Sequence, residues 1–264
     1  MRNFITLRAT FFRPSLAFLL GIGLTLGTAA ALRAEKPETA PAALKTTIAA
    51  IETAANQRDL PKVMTFYSPD FTNSDGLNRA TMEKALTRLW ERYNNLRYTT
   101  TLLSWNRSGG KLVAETMTKI EGTGKVKGRA VRINAAIRSR QQFQGNKLIA
   151  QEILSERVEL SAGKTPPSIQ VKIPDRVKVG QEFDFDVIVS EPLGDDLLAG
   201  VAIDEKVDID RYLNTKALDL ELLQAGGLFK RVKAPANPEN RWLSAVLIQG
   251  DGMTVVTQRV RVEK

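Results

Sequence analysis

The chain has 264 residues, 43% of them apolar and 25% charged, a formal net charge of +9, and neither cysteine nor histidine. These absences exclude disulfides, thiolate nucleophiles, Ser-His-Asp and Cys-His relays, and imidazole or thiolate metal ligands. What remains is carboxylate, lysine, tyrosine and hydroxyl chemistry, or binding without chemistry, in a chain long enough for two domains.

The N-terminus reads as an export signal spanning 1–31. Arg2, Arg8 and Arg13 form a basic leader, no acidic residue precedes Glu35, and an apolar run covers Leu16 to Leu26. Small residues at Ala29, Ala30 and Ala31 suit cleavage after Ala31, with Ala34 as second choice. The alternative is an uncleaved inner-membrane anchor, because Leu16 to Leu32 gives 17 uncharged residues, the short end of a bilayer span. No cysteine follows the run, which excludes a bacterial lipoprotein. Export implies the periplasm, or the thylakoid lumen for a photosynthetic source.

Residues 32–40 form a polar lead-in to a first domain at 41–160. Leu44, Ile48, Ile51 and Ala55 mark one stripe of an amphipathic helix. Asp59 is a natural N-cap for a short second helix carrying Val63, Phe66 and Tyr67, which the Ser68-Pro69 step ends. Asn78 opens a third helix with Met82, Leu86, Leu89, Trp90 and Tyr93 on its inner face. Beyond Asn95 the period changes to four strands, at 97–105, 112–120, 130–143 and 147–160, with hairpin signals at Gly109-Gly110 and Gly145-Asn146.

This order of elements, with the run Tyr67-Ser68-Pro69-Asp70-Phe71 and the loop Asn73-Ser74-Asp75-Gly76, resembles the nuclear transport factor 2-like superfamily. The resemblance implies a cone-shaped α+β fold of three helices on a curved antiparallel sheet, with a pocket between them. It also implies a range of roles, from dehydratases and isomerases to association domains. The family's acid–base enzymes commonly pair a histidine with a carboxylate, and this chain has no histidine.

Residues 161–167, with Gly163, Pro166 and Pro167, read as a linker. A second domain follows at 168–264. Strand-like runs at 169–173, 183–189, 197–203, 218–223, 242–249 and 254–262 suggest an all-β sandwich. The segment Val177-Lys178-Val179-Gly180-Gln181-Glu182-Phe183 resembles the early strands of bacterial immunoglobulin-like domains.

Tyr67, Trp90, Tyr93 and Trp105 are candidate pocket aromatics, with Arg138 or Arg140 to meet an anionic ligand. The competing reading is that the aromatics simply fill the core. For catalysis the carboxylate candidates are Asp75, Glu115 and Glu152, with Tyr67 or Tyr93 as donor. Their competing readings are a turn residue for Asp75 and solvent-facing strand positions for the two glutamates. No convergent catalytic set emerges, so no catalytic residue is assigned. The acidic run Asp204, Glu205, Asp208 and Asp210 has no EF-hand spacing, and no metal or cofactor is assigned.

Charge is uneven along the chain. Residues 35–165 hold 21 basic and 13 acidic residues, whereas 166–264 hold 13 and 16. A basic patch of Lys119, Lys125, Lys127, Arg129 and Arg132 gathers around a Gly-rich segment. It suits an acidic protein, an anionic envelope component or a membrane surface, unless it is a solvated hairpin kept soluble by charge. No aromatic-basic motif points to nucleic acid. The resulting expectation is an exported, non-catalytic binding or scaffold protein of the bacterial envelope, able to dimerise through its first domain. The alternatives are a histidine-free isomerase or dehydratase and a membrane-anchored adaptor.

Overall fold

A computed structural model describes residues 8–9, 34–126, 128–191, 196–209, 218–223 and 226–264. The export segment, apart from Arg8 and Ala9, lies outside the described residues, as do Lys127 and Asp210. No helix among the described residues is long and apolar enough to cross a membrane.

Three α-helices occur among the described residues: Ala42–Asn56 (α1), Leu60–Thr65 (α2) and Arg79–Arg92 (α3). The capping signals act as anticipated. Asp59 accepts the backbone N–H of Lys62 at 2.9 Å. Asn78 accepts that of Thr81 at 3.0 Å, and Thr81 Oγ1 accepts the Asn78 N–H at 2.8 Å, a reciprocal cap.

The strands are Arg8–Ala9 (β1), Tyr67–Asn73 (β2), Asn95–Ser108 (β3), Lys111–Val126 (β4), Arg129–Gln144 (β5) and Lys147–Ala162 (β6). Then follow Ile169–Lys172 (β7), Arg176–Lys178 (β8), Glu182–Val189 (β9), Leu198–Lys206 (β10), Leu218–Asp219 (β11) and Glu221–Leu222 (β12). Gly227–Lys233 (β13), Glu239–Gln249 (β14) and Gly252–Glu263 (β15) complete the set.

The expected fold class, a cone-shaped α+β domain followed by a separate immunoglobulin-like sandwich, needs correction. The protein is mostly β: strands hold 59% of the described residues and helices 18%. Ten strands share one large sheet, in the order β12-β10-β14-β15-β6-β5-β4-β3, with β2 also paired to β6 and β8 to β15. The physical reason lies in β6. Its residues Arg157–Ala162 are paired antiparallel with Met253–Gln258 of β15. Backbone pairing of this kind uses N–H and C=O groups common to all residues, so hydrophobic patterning does not reveal it. Two smaller corrections follow. The Tyr67-Ser68-Pro69-Asp70-Phe71 run is a strand running parallel to β6, with its register broken between Tyr67 and Thr72, where Pro69 has no N–H to give. Strand β13 has no counterpart in the sequence reading.

The chain forms two compact units. The helical unit comprises residues 34–122 together with Ala135–Glu156. Its core takes Leu44 and Ile48 from α1, Val63 from α2, Met82, Leu86 and Trp90 from α3, and Ile120, Ile137, Phe143, Leu148 and Ile153 from the sheet. Burying a side chain of this size contributes about 1.5–3 kcal/mol, so the anticipated α1 and α3 stripes account for much of the packing.

The all-strand unit contains Arg8 and Ala9 and the described residues of Thr123–Asn134 and Arg157–Lys264. Here β13-β9-β7 form a three-stranded sheet. Phe185, Val187 and Leu228 from that sheet share one core with Leu198, Leu243, Leu247, Val256 and Val260. The alternation Phe183, Phe185, Val187, Val189 is buried on one face, as its period of two requires. Arg259 is fully buried, with its guanidinium 5.8 Å from the Trp242 ring.

Candidate functional site

The helical unit contains a cavity of about 100 Å3 between its helices and its sheet. Ile48, Ile51, Glu52 and Ala55 of α1, Val63 of α2 and Leu86 of α3 supply one wall, along with Tyr67. The sheet supplies Tyr98 and Thr100 from β3, Thr118 and Ile120 from β4, Ile137, Ser139 and Gln141 from β5, and Leu148 and Gln151 from β6. The local cause is a change of residue type within an unbroken pattern. Strand β5 points Val131, Ile133, Ala135, Ile137, Ser139 and Phe143 to its buried face. Ser139 puts a short hydroxyl where a larger apolar side chain would close the space, as Thr118 does on β4.

The polar groups of the wall are ordered. Thr116 Oγ1 and Ser139 Oγ lie 3.1 Å apart, and Gln151 Nε2 donates to Ser139 Oγ at 3.2 Å. Gln151 is buried, and its Oε1 has no hydrogen-bond partner among the described residues. A buried acceptor left unpaired costs about 1–3 kcal/mol, so a hydrogen-bond donor brought to this oxygen would be favoured. Glu52 Oε2 accepts the backbone N–H of Thr100 at 2.5 Å, which anchors a carboxylate at the wall. Trp90 Nε1 donates to Tyr98 Oη at 2.8 Å, so the Tyr98 proton is left to point elsewhere. Burial lifts the Tyr98 phenol to about 12, against smaller lowering effects of the Trp90 hydrogen bond and Arg58. Burial, with neighbouring Tyr98, lifts Tyr67 well above the ordinary tyrosine range. Both phenols are therefore neutral donors at neutral pH.

Of the aromatics singled out in the sequence, Tyr67 lines the cavity, while Trp90, Tyr93 and Trp105 are buried in the core outside its wall. Trp90 is one step removed, acting through Tyr98. Tyr93 is fully buried, its hydroxyl has no partner among the described residues, and burial raises it to about 12. Trp105 donates through Nε1 to Thr39 Oγ1 at 3.0 Å, and its backbone pairs with Glu35.

The expected anion-binding role of Arg138 does not fit this cavity. Ile137 and Ser139 face inward, so strand alternation turns Arg138 to the opposite face. There its Nε donates to Glu115 Oε1 at 2.6 Å, and Arg140 Nη1 donates to Glu152 Oε2 at 2.7 Å. Glu115 and Glu152 are thus spent in ion pairs away from the cavity. Asp75 is buried in the 73–77 turn, where Asn73 Oδ1 accepts the N–H groups of Asp75 and Leu77 at 2.7 and 3.0 Å. In the basic patch, Lys119, Lys125, Arg129 and Arg132 are exposed. Asp204 is held by Arg241 at 2.5 Å, and no metal-holding cluster exists among the described residues.

Sequence reasoning missed Glu52, Tyr98, Thr118, Ser139 and Gln151. The available signal was polarity at inward positions: Glu52 lies beside Ile51 and Ala55 on the apolar stripe, and Ser139 interrupts the inward run of β5.

A family model described as a domain of unknown function, DUF8623, matches residues 164–263, less than half the chain. No curated protein matches. Among solved structures, Bd1075 of Bdellovibrio bacteriovorus is similar over 42% of this chain and 38% of its own, at 17% identity and a TM-score of 0.31. A protein of Catenulispora acidiphila with a ketosteroid isomerase-like fold, solved with trimethylamine, is similar over 45% of this chain and 85% of its own, at 14% identity and a TM-score of 0.27. A nuclear transport factor 2-like protein of unknown function from Cytophaga hutchinsonii is similar over 44% of this chain and 91% of its own, at 7% identity and a TM-score of 0.24.

Proposed function

We propose that the chain is an exported binding protein whose helical unit holds a compact, mainly apolar molecule bearing one hydrogen-bond donor. The observation that carries this reading is the unpartnered Gln151 Oε1 in the wall of the cavity. A ligand donor at that oxygen would relieve a standing cost, and the aliphatic walls would cover the rest of the molecule. At about 100 Å3 the cavity lies below the range of roughly 300–1,000 Å3 usual for drug-sized ligands. One ring or a short branched chain suits it. Titration calorimetry with phenol and cyclohexanol tests the reading. The wild type should bind with saturation, and Gln151→Met should weaken binding about tenfold, the equivalent of about 1.4 kcal/mol. Equal affinity in the two proteins would refute the role of Gln151.

A second reading is favoured by a separate observation: one carboxylate and two neutral phenols share the cavity. Glu52 could accept a proton from carbon while Tyr98 or Tyr67 donates to the adjoining carbonyl oxygen. Proton exchange at the α-carbon of cyclohexanone in D2O tests this reading by NMR. Exchange above the buffer rate that Glu52→Gln abolishes supports it, and exchange at the buffer rate sinks it.

A further inference from the structure

The all-strand unit carries a hollow that the reading above does not use. It has a volume of about 200 Å3 and is bordered by Thr123 of β4, Ala130, Val131 and Arg132 of β5, Ser161 and Ala162 of β6, and the following Gly163, Lys164 and Pro166. Three features set it apart from ordinary charged surface. First, its border contains two cations and no carboxylate. Second, neither Arg132 nor Lys164 has an ion-pair partner among the described residues, whereas Arg138, Arg140, Arg231, Arg241 and Arg261 all do. Third, the loop bearing Lys164 is fixed. Gly163 adopts φ +90°, and a Cβ there would stand 2.2 Å from the Asp251 carbonyl oxygen. Asp251 also accepts the Lys164 N–H at 3.4 Å and the Thr165 hydroxyl at 3.2 Å.

Only glycine meets both demands at position 163, the positive φ and the close backbone. The conformation it permits fixes the backbone from which the Lys164 side chain springs, which removes the backbone part of the ordering cost of binding. Strand alternation adds a third cation: Lys125 lies two residues beyond Thr123 on β4 and therefore shares its face. Small side chains at Ala130, Ala162 and Gly163 leave the space between the cations open.

We propose that this hollow is a binding site for a phosphate group. A phosphomonoester carries about −1.5 to −2 charge and three acceptor oxygens near neutral pH, which matches two cations better than a single carboxylate does. The Arg132 guanidinium offers a planar fork for two oxygens, Lys164 a point charge, and the Thr123 hydroxyl a further donor. The hollow has room for part of the group that bears the phosphate. That bearer is either a soluble ester or a lipid headgroup.

The test uses the whole protein and three probes: inorganic phosphate, glycerol 3-phosphate, and vesicles of phosphatidylcholine with or without phosphatidic acid. Binding to the soluble probes is followed by amide shifts at Thr123, Gly163 and Lys164, and binding to vesicles by co-sedimentation. The proposal expects saturable binding of glycerol 3-phosphate or of the phosphatidic acid vesicles, and whichever binds more tightly identifies the source. Arg132→Gln with Lys164→Gln should weaken that binding at least tenfold. A charge-matched control, Lys172→Gln with Lys178→Gln, should leave it within twofold. Binding of neither probe overturns the proposal. So does an equal loss in both double variants, because that outcome reports net charge alone.

Discussion

Gln151→Met replaces the amide by a side chain of nearly the same shape that has no strong hydrogen-bonding group. Two effects oppose each other in the empty protein. The substitution releases the desolvation cost of the unpartnered Oε1, about 1–3 kcal/mol. It also removes the Nε2 donation to Ser139 Oγ, which at 3.2 Å is a long neutral bond worth about 0.5–1 kcal/mol. Ser139 is not stranded, because Thr116 Oγ1 stays 3.1 Å away. The net expectation is a stability gain of between about 0 and 2.5 kcal/mol. Urea unfolding followed by tryptophan fluorescence measures it, as a rise in midpoint with an unchanged slope. Combined with weaker ligand binding, a gain would mark Gln151 as a residue held for recognition at the expense of stability. A loss greater than 1 kcal/mol would refute the reasoning, since it would mean that Oε1 is already satisfied in the empty cavity.

Three further outcomes follow from the same structure. Tyr98 and Tyr93 are both raised to about 12, so the unfolded chain loses these protons first as pH rises. Stability should therefore hold below about pH 10 and fall between pH 10 and 12, by roughly 3 kcal/mol for each phenol, and Tyr98→Phe should flatten its share of that fall. Phenolate absorbance against pH checks the same point, and ionisation of all tyrosines near pH 10 would contradict it. Asn78→Ala removes the reciprocal cap of α3 and should cost about 0.5–2 kcal/mol, read by chemical unfolding; no change would show that the cap is redundant. Gly122→Ala would put a Cβ 2.0 Å from the Asn95 carbonyl oxygen. It should cost several times what an exposed Gly→Ala change does, read as a fall in Tm, and an unchanged Tm would show that β3 and β4 can separate without penalty.

Local features were legible because single residues carry them. Asp59 and Asn78 announce their helices by side-chain capping, and Leu44, Ile48 and Ala55 announce the buried face of α1 by spacing. Strand alternation from Phe183 to Val189 does the same for β9. The pairing of β6 with β15 left no such mark, because any extended segment offers the same backbone groups. The Ser68-Pro69 step illustrates a different failure. Proline does end a helix, and α2 does stop at Thr65, but the residues that follow enter the sheet because β6 accepts them in parallel. The site was least legible. A serine or glutamine at an inward strand position is a weak local signal, and only packing distinguishes a polar wall from a solvated one. Arg138 lies off the cavity for the converse reason: it sits one residue from two cavity positions, and a one-residue offset on a strand reverses the face.

The central claim is that the helical unit contains an open cavity able to take a small molecule, and two-dimensional amide NMR of the full chain with phenol tests it most directly. The account predicts saturable shifts at Thr118, Ser139 and Gln151 that vanish in Ile137→Phe, where a larger ring fills the space. Shifts that fail to saturate, or that persist unchanged in Ile137→Phe, would contradict it.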